Sequence, residues 1–268
     1  MSRSENSWLI PVLLAAAIAG ALVFVWPKLY PPTHKPVAVQ PDAAAPEEKR
    51  RPGPIHPLQP LGMNENADRK LVPLPSLNDS DAYFRIELVN LFGRTLEELL
   101  TNEALIEKFV ATIDNLPRSH VAERTRPVGR IQGAFVVDPG PDADVRLLSE
   151  DNFARYSFLV DMMVFADVDS IVDVYRRYYP LFQEAYVGLG YPNAYFNDRV
   201  VEVIDHLLAT PQPAGPIRLV RPHVLYEYAD PELEALSSGQ KFLLRMGDSN
   251  AARLRRTLAE LRARISSE

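Results

Sequence analysis

The stretch GYPNAYFNDRVVEVIDHLLATP, residues 190–211, predicts a strongly amphipathic helix. On a helical wheel its polar residues fall within one arc of about 120°, and its aliphatic residues fill the opposite side. The polar set is Asp198, Arg199, Glu202, Asp205 and His206, and the aliphatic set is Val200, Val201, Val203, Ile204, Leu207 and Leu208. The aliphatic face predicts that this helix packs into a core.

The sequence on both sides of this stretch is also mostly helical. A helix opened by Leu77 and by Asp79 or Ser80 is expected to end at Gly93, and a second helix runs from near Thr101 to Asp114. Further helices are predicted at about 150–165 and from Ser170, where Ser170 and Asp173 match a capping box. Pro180 is expected to kink or split the latter helix.

Short β segments interrupt the helical pattern. Residues 134–137 followed by 138–141 (DPGP) predict a small hairpin, and residues 217–220 and 224–228 predict two strands separated at Pro222. Asp230-Pro231-Glu232 is typical of a helix start, and Gly247 is expected to end the helix that contains Phe242 and Leu243. We therefore expect a mainly α domain with one or two short β-hairpins.

The last helix carries a narrow leucine seam. Leu254, Leu258, Leu261 and Ile265 repeat with 4-3-4 spacing, and five arginines surround them. Such a seam is expected to dock on the rest of the domain, with pairing to another helix or contact with acidic lipid as alternatives.

The N-terminal part has a different composition. Residues 8–26 form an uncharged apolar run of 19 residues with Trp8 and Trp26 at its ends. This length and the terminal tryptophans are typical of a transmembrane helix. A cleaved signal peptide with a site near Ala19-Gly20-Ala21 is the alternative, but more apolar residues follow that triplet.

These features predict four segments along the chain. They are a short cytoplasmic tail (1–7), a transmembrane anchor (8–26), a disordered tether (27–75) that holds 12 of the 24 prolines, and a helical domain (76–268). We expect the anchor to lie in the inner cell membrane and the domain in the periplasm. The few charges beside the anchor do not favour this orientation, but long domains translocate largely regardless of charge.

Composition excludes several classes of chemistry. The chain has no cysteine, which removes disulfides, thiolate nucleophiles and Cys-based metal sites. The formal net charge is −6, which argues against a nucleic-acid partner. The sequence has no Gly-Xaa-Ser-Xaa-Gly, no phosphate-binding Gly-rich loop and no His-Glu-Xaa-Xaa-His motif, so we expect no cofactor and do not favour an enzyme.

Two long segments and one short motif resemble one known family. They are residues 175–211, residues 215–247 and the DNLPR motif at residues 114–118. Together they are similar to the bacterial domain-of-unknown-function family 3014, over roughly residues 74–265. The resemblance implies an uncharacterised membrane-anchored protein and assigns no activity, cofactor or catalytic residue.

Candidate site residues fall into three sets. Tyr191, Asn193 and Tyr195 suit a peptide or glycan groove. Arg124 and Arg126, with Arg218 and Arg221, would form an anion site if the two segments met. Glu202 and His206, four residues apart and near Asp198, are weak candidates for a metal ion or acid–base chemistry.

These candidates leave three functions open. The favoured one is a tethered adaptor or binding module for an envelope protein or wall component. The alternatives are a sensor domain for a small anionic ligand or glycan, and a hydrolase or metal enzyme that uses the Asp198, Glu202 and His206 face. The sequence identifies neither the partner nor the oligomeric state.

Overall fold

The computed structural model describes residues 53–58 and 73–266. The predicted anchor and most of the predicted tether lie outside these ranges. Within them no helix has both the length and the apolar character that crossing a membrane requires. The transmembrane assignment of residues 8–26 therefore stays a prediction.

The described residues form a mainly helical domain with one small sheet, as expected. The α-helices are α1 (Asp81–Phe92), α2 (Leu105–Asn115), α3 (Asp151–Phe165), α4 (Val168–Gly188), α5 (Phe196–Leu208), α6 (Pro231–Glu234), α7 (Ser238–Arg245) and α8 (Asp248–Ile265). The strands are β1 (Val137–Pro139), β2 (Val145–Leu148), β3 (Arg218–Val220) and β4 (Glu227–Tyr228). Short 3-10 turns occur at Leu77–Asp79, Arg94–Leu96 and Glu123–Thr125.

Helix α1 begins after Ser80 and ends before Gly93, as its sequence predicts, but the Ser80 side chain does not cap it. Gly93 follows its last residue at φ 87°, a conformation that glycine adopts without a steric penalty. At the other end, the hydroxyl of Ser80 donates to the carbonyl of Leu77 at 2.7 Å instead of capping the helix. A separate 3-10 turn therefore precedes α1.

The predicted start of α2 near Thr101 is wrong by four residues. The carboxylate of Asp81, on α1, accepts the backbone N–H groups of Ala104 and Leu105 at 2.7 Å each. These are N–H groups that a helix leaves without an internal partner at its start. A side chain 23 residues upstream thus sets where the helix begins, and Thr101 pairs with the carbonyl of Pro127 instead.

Helix α4 has a different cap from the predicted one and is not split at Pro180. Its cap is Asp167, whose carboxylate accepts the N–H of Ser170 at 2.9 Å, so the predicted Ser170–Asp173 box is wrong. The helix also continues without a break through Pro180. Tyr178 and Leu181 are buried on either side of the proline, and this packing holds the helix together where propensity alone would break it.

The two predicted hairpins join into one antiparallel sheet in the order β1-β2-β3-β4. Strands β2 and β3 pair with Arg146 opposite Leu219. Asp138 and Pro139 lie within β1 rather than in the predicted turn. Gly140 follows them, and a Cβ at that position would come within 2.4 Å of the Val145 carbonyl oxygen.

The helix predicted from Asp230 is two helices. Asp230 caps α6 by accepting the N–H of Glu232 at 2.9 Å, as expected. After one turn α6 ends, and Ser237 with Gln240 forms a capping box that starts α7. Gly247, at φ 79°, then separates α7 from α8, as the sequence predicted.

The leucine seam of α8 docks on the domain, as expected. Leu254, Leu258 and Leu261 pack on the apolar clusters, and Ile265 is buried. Arginines of α8 form ion pairs with three different helices. These pairs are Arg253 with Asp161, Arg262 with Asp205 and Arg264 with Asp169.

Candidate functional site

The polar face of α5 is present as predicted, but its members bond to different partners. Glu202 pairs with Arg199 at 2.8 Å, and Asp205 pairs with Arg262. The Nε2 atom of His206 lies 2.8 Å from the hydroxyl of Ser237. Glu202 and His206 thus have separate partners. Within residues 53–58 and 73–266, no group of three His, Asp or Glu side chains could hold a metal ion.

Asp198, at the start of α5, holds a segment of the predicted tether. Its two carboxylate oxygens accept the backbone N–H groups of Ile55 at 3.0 Å and His56 at 2.8 Å. The side-chain amide of Asn197 donates to the carbonyl of His56 at 2.8 Å. We call residues 53–58 the strap, because they lie across the first turn of α5. Leu58, at its end, packs on the main apolar cluster.

The predicted tyrosine set separates into different environments. The ring of Tyr191 stacks on Tyr186 at 4.7 Å, and its hydroxyl lies 3.3 Å from a carboxylate oxygen of Asp114. Asn193 is exposed, and Tyr195 is half-buried just before α5. Only Tyr191 is therefore tied into a polar cluster.

That cluster centres on Asp114, which is buried at 4% exposure. Arg199 donates to its carboxylate at 3.0 Å, and Arg118 donates at 2.8 Å. Burial, followed by the nearby Asp114 charge, raises the pKa of Tyr186 to about 12. The DNLPR motif was the sequence signal for this cluster, because it contains both Asp114 and Arg118.

The two predicted arginine groups bond within their own segments. Arg124 is exposed, and Arg126 donates to the carbonyl of Val121 at 3.1 Å. Arg218 is exposed on β3, while Arg221 donates to the carbonyl of Val224 at 3.0 Å. Among the described residues, no hydrogen bond links the first group to the second.

A feature that sequence reasoning missed lies at the centre of the domain. A cavity of about 420 Å³ separates the helices, and seven of the eight described α-helices contribute side chains to it. Its wall includes Phe92 of α1, Phe109 of α2, Met163 of α3 and Leu258 of α8.

The cavity wall is apolar throughout. All its residues are Phe, Leu, Ile, Val, Met, Pro or Tyr, and none carries a charge. The two tyrosines are Tyr156 and Tyr175, and the Tyr175 hydroxyl donates to Asn197 at 3.2 Å. Burial raises the pKa of Tyr175 well above its usual value, which keeps this hydroxyl neutral. The site can therefore enclose apolar groups, but its wall offers little to orient a polar ligand.

A cavity of this size is costly if nothing fills it. Protein interiors are close-packed, and voids larger than a water molecule are few. Side chains that face an empty cavity have no partner atoms on that side and lose van der Waals contacts. The volume also falls in the range typical of ligand sites, about 300–1,000 Å³.

The fold and the cavity define a small helical domain with an apolar site between its helices. Residues 105–262, from the first residue of α2 into α8, match the model of the family described as "protein of unknown function (DUF3014)". The chain belongs to this family, which confirms the resemblance that the sequence suggested. None of the curated proteins matches the chain, and no solved structure matches it either.

Proposed function

We propose that this chain is a single-pass membrane protein whose domain binds an apolar ligand outside the membrane. Residues 8–26 would anchor the chain in the inner cell membrane, and the domain would lie in the periplasm. Loaded with its ligand, the domain would serve there as an adaptor for an envelope protein or wall component.

The observation that carries the proposal is the apolar cavity. An apolar molecule that fills the cavity would supply the van der Waals contacts that the lining side chains lack when it is empty. Burial of apolar surface contributes roughly 25 cal/mol per Å² and needs no directed bond, so the lack of charged groups does not weaken such binding.

The alternatives have less support. An anion or glycan site needs polar groups that converge, whereas the arginines bond within their own segments and the hydroxyl of Tyr191 contacts Asp114. A hydrolase or metal enzyme would need Asp198, Glu202 and His206 to act together. Each of these three has a different partner: the strap, Arg199 and Ser237.

One labelling experiment tests both the anchor and the cavity. The full chain in phospholipid vesicles is irradiated with a small apolar diazirine, and the labelled residues are mapped by mass spectrometry. We expect label in residues 8–26 and on cavity residues such as Met163 and Leu258. Leu225 is an apolar control that is 75% exposed to water and is not part of the wall.

The labelling pattern separates the two parts of the proposal. If only residues 8–26 are labelled, the proposed ligand binding is contradicted. If only cavity residues are labelled, the proposed membrane anchor is contradicted. Orientation needs a second measurement. A C-terminal reporter that works only in the periplasm should be active, and the mature protein should keep its N-terminus. A soluble product that begins near residue 22 would contradict the anchor.

A further inference from the structure

The cavity lies between two adjoining apolar clusters. Its wall includes Phe84 and Phe182 from the first cluster, and Tyr156 and Met246 from the second. Leu258 also lines the cavity and packs against both clusters. A ligand in the cavity therefore contacts apolar side chains of both clusters.

The volume sets the size of a ligand that would fill the cavity. Filled at a packing density of ~0.75, a cavity of this size holds roughly 15–18 carbon atoms of a saturated chain. A single long acyl chain has this volume, and its flexible bonds let it follow a bent path between helices.

Methionine side chains let part of the cavity wall adapt to the shape of a ligand. All three methionines among residues 53–58 and 73–266, namely Met162, Met163 and Met246, line the cavity. The unbranched, polarisable side chain of methionine fits irregular apolar partners. A wall of this kind suits a chain that adopts many conformations better than it suits a rigid ring system.

Helix α1 points to the source of the ligand. Leu88, Leu91 and Phe92 of this helix line the cavity. On the same helix, Tyr83 and Ile86 are 51% and 60% exposed. The charged side chains of α1 bond within the domain: Asp81 accepts N–H groups at the start of α2, and Glu87 pairs with Arg177. Tyr83 and Ile86 do not line the cavity, and a lipid surface would cover them.

From these observations we infer that the cavity binds one acyl chain of a membrane lipid, with the polar headgroup left outside. This inference rests on the proposed function and specifies its ligand. The charge-free wall requires that the headgroup stay out, because burying a charge without a partner costs far more than burying an apolar chain contributes.

The test uses the full chain in vesicles with two photoreactive lipids. One is a phospholipid with a diazirine in its acyl chain, and the other is a fatty acid with the same diazirine. We expect the phospholipid to label Met162, Met163 or Leu258. Label from the fatty acid alone would retain the acyl chain as the ligand and assign its source to free fatty acid.

A variant whose cavity is filled by larger side chains provides the matched comparison. Leu254→Phe with Leu258→Phe places two larger side chains in the wall and should reduce labelling of the domain about tenfold or more, because they occupy the volume of the chain. Leu225→Phe, on the exposed hairpin between β3 and β4, should leave labelling unchanged. Label in residues 8–26 should be equal in all three proteins and provides the internal reference.

A second measurement covers the case in which the filled variant does not fold. Fatty acids of increasing length are added as competitors to the unaltered chain, and competition should rise up to roughly 15–18 carbons and then level off. If the small apolar diazirine labels the cavity but neither lipid does, the inference is overturned and the proposed function stands. If neither the small diazirine nor the lipids label the cavity, and a chemical crosslinker instead joins residues 59–72 to cavity residues, both the acyl-chain inference and the proposed ligand binding are overturned.

Discussion

The carboxylate of Asp198 accepts the backbone N–H of His56 at 2.8 Å across 142 positions of sequence. The same carboxylate accepts the N–H of Ile55, so both of its oxygens hold the strap. A negative charge at the first turn of a helix is also favoured by the helix dipole. Asp198 therefore stabilises α5 and fixes the strap at once.

Asp198→Asn should loosen the strap. The amide keeps one acceptor and points a donor at one of the two N–H groups, so one hydrogen bond is lost and a charge-assisted one is weakened. We expect amide exchange at Ile55 and His56 to become about tenfold faster, which corresponds to ~1.4 kcal/mol. Hydrogen exchange with mass spectrometry measures this. Asp205→Asn is the control, because Asp205 lies on the same helix and pairs with Arg262. Equal exchange in both variants would contradict the role of Asp198.

Asp114→Asn should destabilise the domain strongly. The carboxylate is buried and holds Arg199, whose side chain is only 18% exposed. Arg199 keeps its ion pair with Glu202, so the variant loses the charge-assisted hydrogen bonds to Asp114, which are worth about 1.5–3 kcal/mol each. Urea unfolding of the two proteins measures the difference.

Arg118→Gln is the matched comparison for Asp114→Asn. Arg118 contacts the same carboxylate, but its side chain is 53% exposed. Loss of an exposed pair should cost only about 0–1 kcal/mol. If the two variants lost equal stability, burial would not determine the cost.

Glu234 should make stability depend on acid pH. Burial raises the pKa of its carboxyl, but hydrogen bonds from Lys241 and from the backbone of Tyr228 outweigh this effect and lower the pKa below the usual 4.5. A lowered pKa in the folded state gives stability that is present above the usual pKa and is lost as pH falls through the lowered one. The Tm of Glu234→Gln should therefore be below that of the unaltered protein at pH 7, and the gap should shrink at acid pH. Glu260→Gln, exposed on α8, should show no such gap.

Asp230→Ala should cost about 1 kcal/mol, because the cap of α6 is lost. The carboxylate accepts the N–H of Glu232, and alanine offers no acceptor. Asp230→Asn keeps an acceptor and should recover most of the loss. Thermal unfolding measures all three proteins. A loss of ligand binding at unchanged Tm would place Asp230 in a site instead.

Local patterns predicted the parts of the fold that depend on nearby residues. The buried face of α5, the cap at Asp230 and the glycines that follow α1 and α7 are all encoded within a few positions. Long-range contacts decided the rest. Strand β2 pairs with β3 across more than 70 positions, and Asp81 sets the start of α2 from another helix.

The cavity and the strap could not be predicted for a related reason. A heptad or a helical wheel shows which face of a helix is apolar, but not whether the opposing faces meet. Leu258 belongs to a seam that the sequence predicted would dock, and it both docks and borders a void. Asp198 looked like part of a solvent-facing arc, because no local signal links it to Ile55 or His56.

The strap changes the effective length of the linker between the predicted anchor and the domain. With residues 53–58 held on α5, residues 27–52 would connect the predicted anchor to the domain and could span at most about 80 Å at roughly 3.1 Å per residue. With the strap released, the connection would run to residue 72, because Leu74 packs on the main apolar cluster, and could span up to about 140 Å. The volume that an anchored domain could search would then grow about fivefold. Two oxygens of Asp198 would thus set how far from its membrane the domain can find a partner.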